Sequence, residues 1–237
     1  MPSAPKWLFD FADRLMPTAP LMTVVHTELV SEGLKKIRFT GDFKKMDVKT
    51  GCYMDFRVSD TEVRRYTISY IDHEKSSIEF IAHLHGDAPG SRFMELLKTG
   101  DKVKVSSPRG RKYYDEAIKK YLVFGDETSL ALACSFQPVL LQRAHPFLFY
   151  FELDDQNKSA PELLGLQNCT VFPKNGSFRK GDFIKDLPVV RSADWQDAGF
   201  ILTGNVRSVQ EFRKVLKSRS SAKVNTHGYW LEGRAGL

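Results

Sequence analysis

The feature that most constrains this chain is a change of rhythm after Pro108-Arg109-Gly110. Before it, six short runs rich in Val, Ile, Phe and Tyr follow one another: Leu21–Leu29, Lys35–Thr40, Tyr53–Val58, Tyr66–Ile71, Ser77–Leu84 and Lys102–Ser106. Turns such as Ser31-Glu32-Gly33 and Asp72-His73-Glu74-Lys75 separate them, which is the pattern of antiparallel strands. Six strands at this density predict a closed barrel or a sandwich. One helix is expected among them, from Ser91 as its cap to Leu97, with Gly100 as the stop.

After the change, apolar runs alternate with helix-like stretches. Tyr121–Phe124 is followed by a polar turn and a helical pattern to about Arg143, then by the apolar Phe147–Phe151 and a short helix at Glu162–Leu166. Thr170–Phe172 and Gly199–Thr203 read as buried strands, Val209–Ser218 as an amphipathic helix and Gly228–Leu231 as a last strand. Strand–helix alternation implies βαβ units around a parallel sheet. The pattern therefore predicts an antiparallel six-stranded β domain, barrel or sandwich, followed by a parallel-sheet α/β domain, the two meeting around residues 108–118. The expected divisions are an arm at 1–20, the barrel at 21–116 and the α/β domain at 117–237.

With 237 residues, either domain has enough chain to bury a core without disulfide or metal staples. The net charge of +6 is spread as 19 basic and 17 acidic residues up to residue 116, then 16 and 12. Such a mild excess favours small anions and makes nucleic acid an unneeded partner. Cys52, Cys134 and Cys169 are far apart, form no C-x-x-C, and fall short of the four that an iron–sulfur cluster needs. They suit a reducing cytoplasm, and any electron traffic requires another carrier. No apolar run approaches a membrane span, and residues 1–16 lack a signal-peptide pattern. Trp7, Leu8, Phe11 and Leu15 fall at helical spacing before Pro17, which reads as a short helix docked on the body or lying on a membrane surface.

Four motifs carry chemistry. In Arg64-Arg65-Tyr66-Thr67, strand alternation puts Arg64 and Tyr66 on one face, a guanidinium for phosphate beside a ring for stacking. In His85-Gly86-Asp87-Ala88-Pro89-Gly90-Ser91, small residues run into a helix start, whose free N–H groups attract phosphate. Gly125-Asp126-Glu127-Thr128 ends the first strand of the second domain, where open α/β sheets take ligands. Thr203-Gly204-Asn205 ends a later buried strand, and Gly228-Tyr229-Trp230 closes the series. The G-x-G-x-x-G dinucleotide fingerprint is absent. His83 and His85 share a strand face but are read without a metal, and Arg109, Arg111 and Lys112 beside Tyr113-Tyr114 are read as a linker and not a nucleic-acid patch.

The order of these motifs, from Met16-Pro17 through Pro108-Arg109-Gly110 to Gly228-Tyr229-Trp230, resembles the siderophore-interacting proteins, ferric-siderophore reductases of the ferredoxin-reductase-like superfamily. The resemblance implies an antiparallel six-stranded FAD-binding β-barrel followed by a parallel-sheet, nucleotide-binding, ferredoxin-reductase-like α/β domain, with FAD as the cofactor. Arg64 is expected on its pyrophosphate, Tyr66 on the isoalloxazine and Thr67 near the reactive edge, with His85, Ala88, Gly90 and Ser91 lining the phosphate loop. Gly125, Asp126, Glu127 and Thr128 are expected to complete the cofactor site, and Thr203, Gly204 and Asn205 to meet the reductant. That reductant is NAD(P)H or reduced ferredoxin, and the acceptor a ferric siderophore attracted by Lys44, Lys45, Lys49 and Arg234. No catalytic side chain and no resident metal are implied, and the expected form is a cytoplasmic monomer. The chain departs from the family pattern at two places: Asn205 stands where a glutamate is usual, and Leu231-Glu232 where an arginine is common. A flavin oxidoreductase with another acceptor and a non-catalytic flavin- or siderophore-binding module are the alternatives.

Overall fold

A computed structural model of the chain describes residues 20–43, 46–110, 113–219 and 222–234. The predicted arm at 1–20 lies outside these, Pro20 excepted, as do Lys44, Lys45, Arg111 and Lys112. The chain forms two compact units, Met1–Lys112 and Tyr113–Leu237.

The first unit is built on β1 (Leu21–Ser31), β2 (Leu34–Thr40), β3 (Tyr53–Arg57), β4 (Val63–Asp72), β5 (Ser77–His83) and β6 (Lys102–Lys104), in the order β3-β4-β5-β2-β1-β6. All pairs are antiparallel. The ring nearly closes where Phe56 bridges Val105 and the Ser106 N–H donates to the Asp55 carbonyl at 3.0 Å. Alternation explains why these residues make a barrel. On β3, Met54 and Phe56 are buried while Tyr53, Asp55 and Arg57 are only half-buried. Phe39, Phe56 and Phe80 fill the centre with ring centroids 5.0–5.9 Å apart in tilted or edge-on contacts.

Helix α1 (Pro89–Leu96) packs Met94 into that core. It starts two residues before the predicted Ser91, because Pro89 suits the first helical turn, where its missing N–H costs nothing. It also ends without glycine. The buried Lys35 ammonium donates to the carbonyls of Glu95 and Leu97, both at 2.7 Å, and so satisfies the helix C-terminus with a cation. Gly100, the predicted stop, has φ +96° and serves the turn before β6.

The second unit comprises β7 (Tyr121–Gly125), α2 (Leu130–Gln142), β8 (Phe147–Leu153), α3 (Ala160–Leu163), β9 (Cys169–Pro173), α4 (Gly181–Lys185), α5 (Pro188–Arg191), β10 (Gly199–Asn205), α6 (Val206–Arg219) and β11 (Lys223–Trp230). The sheet is parallel, in the order β11-β10-β7-β8-β9. β7 and β10 are buried throughout, as strands covered on both faces must be. Strand order reverses beside β7, so the carboxyl ends of β7 and β10 form the switch point of the sheet. Relative to expectation, α4 and α5 are additional, and β11 begins five residues earlier than the predicted Gly228.

Candidate functional site

In the first unit the site grows from an unusual use of β4. Val63–Thr67 pair with β3, whereas Ile68–Asp72 pair with β5. Among the described residues, therefore, the first half of β4 has no strand partner on the side away from β3 and presents a free backbone edge there. Arg64 and Tyr66 alternate with Arg65 and Thr67, as predicted, and the Tyr66 ring meets Phe56 edge-on at 5.4 Å. Thr67 projects to the opposite face, in register with Tyr53, so it offers the edge its backbone and not its side chain.

The start of α1 lies against this strand. The Tyr66 hydroxyl donates to the Gly90 carbonyl at 3.0 Å, and a Cβ at Gly90 would stand 2.8 Å from that hydroxyl and 2.9 Å from Arg64 Cγ. Only glycine permits so close an approach. Burial raises the Tyr66 phenol well above its ordinary value and the Arg64 charge only partly offsets this, so the ring is neutral. The Arg64 guanidinium is held by Glu62 at 2.6 Å and by the Val63 carbonyl at 3.0 Å.

Ala88 is the N-cap of α1, with no side-chain hydrogen bond and no acid in the first turn. The N–H groups of Gly90 and Ser91 are thus left for an external acceptor. Ser91 is not the predicted cap. It is buried, and its hydroxyl accepts from the His85 N–H at 2.8 Å, which tethers the loop to the helix. His85 is exposed, with its ring 4.9 Å from that of His83.

An uncapped helix start, an arginine, a half-buried aromatic ring and a free strand edge are the donors and surfaces that a flavin dinucleotide needs. These residues fit FAD.

In the second unit the predicted turns meet one another, but their side chains face inward. Asp126 is fully buried. Its carboxylate accepts from Thr128 N–H at 2.9 Å, Thr128 Oγ1 at 2.5 Å, Asn205 N–H at 2.8 Å and Trp230 Nε1 at 2.6 Å. Burial still raises its pKa, because those donors do not fully replace water. Glu127, also buried, accepts from the Asp154 N–H at 2.8 Å, Asn157 Nδ2 at 3.2 Å and Lys174 Nζ at 2.7 Å. Burial alone would lower the Lys174 pKa, but the carboxylates of Glu127, Asp126 and Asp154 outweigh it and hold the ammonium charged.

Thr203 Oγ1 donates to Ser129 Oγ at 2.8 Å. Gly204 has φ +98° and lies so close to Asp126 that a Cβ would be 2.6 Å from its carboxylate. Asn205 accepts from Arg207 and Ser208 N–H groups at 2.9 and 3.3 Å and so caps α6. What these motifs offer a ligand is backbone and shape. The side chains of Asp126, Glu127, Thr203 and Asn205 build the floor.

Of the basic residues expected to attract an anion, Lys49 is exposed beside Asp47 at 3.1 Å in the first unit. Arg234 is exposed in the second unit, and Lys44 and Lys45 lie outside the described residues. Sequence reasoning missed Lys174 and Glu152, and it singled out Trp230 in the closing motif without its bond to Asp126. Glu152 carried a signal, a lone acid in the apolar run Phe147–Leu153. Among the described residues no helix is long and apolar enough to cross a membrane.

Comparison with known proteins agrees with this geometry. Residues 45–112 match the family model of the siderophore-interacting FAD-binding domain. No curated protein matches the chain. Among solved structures, the siderophore-interacting protein SipS from Aeromonas hydrophila has TM-score 0.73 and 20% identity, covering 91% of this chain and 93% of that one. A siderophore-interacting protein from Acinetobacter baumannii has TM-score 0.68 and 17% identity over 90% and 91% of the two chains. An H286L mutant of ferredoxin-NADP+ reductase from Plasmodium falciparum has TM-score 0.67 and 13% identity over 88% and 96%. At these identities the neighbours establish the fold. Residues 45–112 are thus similar to a siderophore-interacting FAD-binding domain, and the chain shares the two-part fold of these solved structures.

Proposed function

We propose that the protein is an FAD-dependent oxidoreductase that takes electrons from NAD(P)H or reduced ferredoxin and delivers them to ferric iron held in an anionic siderophore-class chelate. One observation carries this reading: the free edge of β4, the Tyr66 ring, Arg64 and the uncapped start of α1 converge within the FAD-binding domain. When bound, FAD supplies the step from a two-electron donor to a one-electron acceptor. The chain's part is to bind and orient it. Arg64 would exchange Glu62 for the pyrophosphate, the N–H groups of Gly90 and Ser91 would face the same phosphates, and His85 and Ala88 would line the loop. Tyr66 would support the flavin ring while the backbone of Arg64–Thr67 reads its polar edge.

In the second unit, the backbone of Gly125–Thr128 and Thr203–Asn205 at the carboxyl ends of β7 and β10 would support the cofactor and reductant. Lys49 and Arg234, with Lys44 and Lys45, are the proposed attraction for the chelate.

The purified protein is expected to be yellow, or to become so with FAD. Arg64→Ala is expected to weaken FAD binding roughly 10- to 100-fold, the range for a lost charge-assisted hydrogen bond. A protein that stays colourless after incubation with FAD overturns the reading. Anaerobic bleaching by NADH, NADPH or reduced ferredoxin identifies the donor, and a ferrous-iron indicator with ferric chelates tests the acceptor. Bleaching without iron reduction would favour an oxidoreductase with another acceptor, and binding without bleaching a non-catalytic module.

A further inference from the structure

Where an arginine is common in the family, this chain has Leu231-Glu232, which on sequence alone removes a positive charge. The structure shows a different balance. Glu232 Oε1 is paired with the Arg179 guanidinium, and its Oε2 lies 4.0 Å from Arg207 Nε. Two residues on, Arg234 is exposed, and its N–H closes a turn onto the Leu231 carbonyl at 3.1 Å. Two guanidiniums from separate segments therefore flank a single carboxylate, with the exposed Arg234 two residues along the chain from it.

Their placement is ordered. Arg207 stands in the first turn of α6, directly after β10. Arg179 closes a short 3-10 turn after β9, anchored through the neighbouring Phe178, whose ring centroid lies 5.9 Å from that of Phe212 on α6. Glu232 follows the end of β11. All three belong to the carboxyl end of the sheet. Both arginines are exposed, so their charges are available to a ligand as well as to Glu232.

We propose that Arg179, Arg207 and Arg234 form a binding site for a small molecule bearing two or more carboxylate or phosphate groups, and that Glu232 is an internal occupant which such a ligand displaces. The inference deepens the function proposed above by naming the residues that receive an anion in the second unit. A guanidinium binds oxyanions through paired N–H groups, so one carboxylate exchanges for another without rebuilding the site. Glu232 holds Arg179 and Arg207 together in the absence of ligand and competes with any ligand that arrives. The site thus replaces the family's arginine with a pair of arginines and a built-in competitor.

Titration calorimetry on the full chain at low salt tests this with two redox-inert probes, gallium(III) citrate for a metal chelate and inorganic pyrophosphate for a nucleotide's phosphates. The double variant R179Q/R207Q is expected to bind at least one probe tenfold or more weakly, and the probe affected identifies the source of the anion. E232Q is expected to bind the same probe severalfold more tightly. Arg234→Gln, a single surface change, is expected to weaken it severalfold and guards against a folding defect in the double variant. Wild-type affinity for both probes in R179Q/R207Q overturns the site, and unchanged or weaker binding in E232Q overturns the displacement. Neither probe accepts electrons from a flavin, so a protein that never takes up FAD would overturn the proposed function and leave this result standing.

Discussion

Gly125→Ala is expected to destabilise the second unit by about 3 kcal/mol or more, at the upper end of overpacking effects. A Cβ at position 125 would stand 2.1 Å from Ser129 Oγ, 2.2 Å from Ser129 Cβ and 3.1 Å from Thr203 Oγ1. A clash with the tip of a flexible side chain is relieved by a new rotamer. Here the obstacle includes Cβ, which moves only with its backbone. That backbone is fixed, since the Ser129 N–H donates to the Asp126 carbonyl at 2.9 Å and Ser129 is fully buried. Moving the turn would also break the Thr203–Ser129 contact and disturb the four donors on Asp126.

Gly86→Ala provides the comparison. Its φ is +52°, but nothing lies within 4 Å of its Cβ position, so the cost is the left-handed backbone alone, about 1–2 kcal/mol. Urea unfolding followed by far-UV circular dichroism measures both variants, and the fluorescence of Trp195 and Trp230, two of the three tryptophans and both in the second unit, assigns the Gly125→Ala loss to that unit. A midpoint for Gly125→Ala close to that of the native chain would show that the turn relaxes, and the tight packing at the end of β7 would lose its meaning.

The halves of the fold were legible in the sequence for a physical reason. Barrel strands are wet on one face, so Tyr53, Asp55 and Arg57 alternate with Met54 and Phe56, and parallel strands are dry on both, so Tyr121–Phe124 is a continuous apolar run. The start of β11 was not legible because Lys223–His227 lies on an edge strand, half-exposed on both faces, where neither pattern is imposed. Helices α4 and α5, of five and four residues, are too short to show a 3.6-residue period.

The site divides along the same line. Arg64 and Tyr66 are adjacent along one strand face, and local spacing is enough to pair them. The Trp230 indole reaching Asp126 across 104 positions, or Lys174 reaching Glu127 across 47, follows from the strand order and has no trace in spacing. For that reason the Gly125–Thr128 turn reads as a ligand turn in sequence, while in the folded chain its two carboxylates are enclosed. Its acidity serves assembly. Asp126 gathers the ends of β10 and β11 around the end of β7, and Glu127 fastens the segment after β9 through Lys174.

Enclosing so much acid has a consequence that pH exposes. Glu152 on β8 is 3% exposed, and its pKa is pushed up to about 7 from the ordinary 4.5. Burial is the main cause and the nearby Asp126 carboxylate adds to it, while a hydrogen bond from Ser208 and the charges of Lys174 and Arg179 only partly oppose. A carboxyl whose folded pKa lies above its unfolded value binds its proton more tightly when folded. The associated stability is complete below pH 4.5 and is lost as pH rises to about 7. With 1.36 kcal/mol per unit, the loss amounts to about 3 kcal/mol across that window. Glu152→Gln keeps the group neutral at every pH. It is expected to match the native chain near pH 4.5 and to exceed it by up to about 3 kcal/mol at pH 8. Urea midpoints measured from pH 4.5 to 8 for both proteins provide the check. Parallel profiles would mean that Glu152 ionises freely in the folded chain, and that the strand ends accommodate a third buried carboxylate without strain.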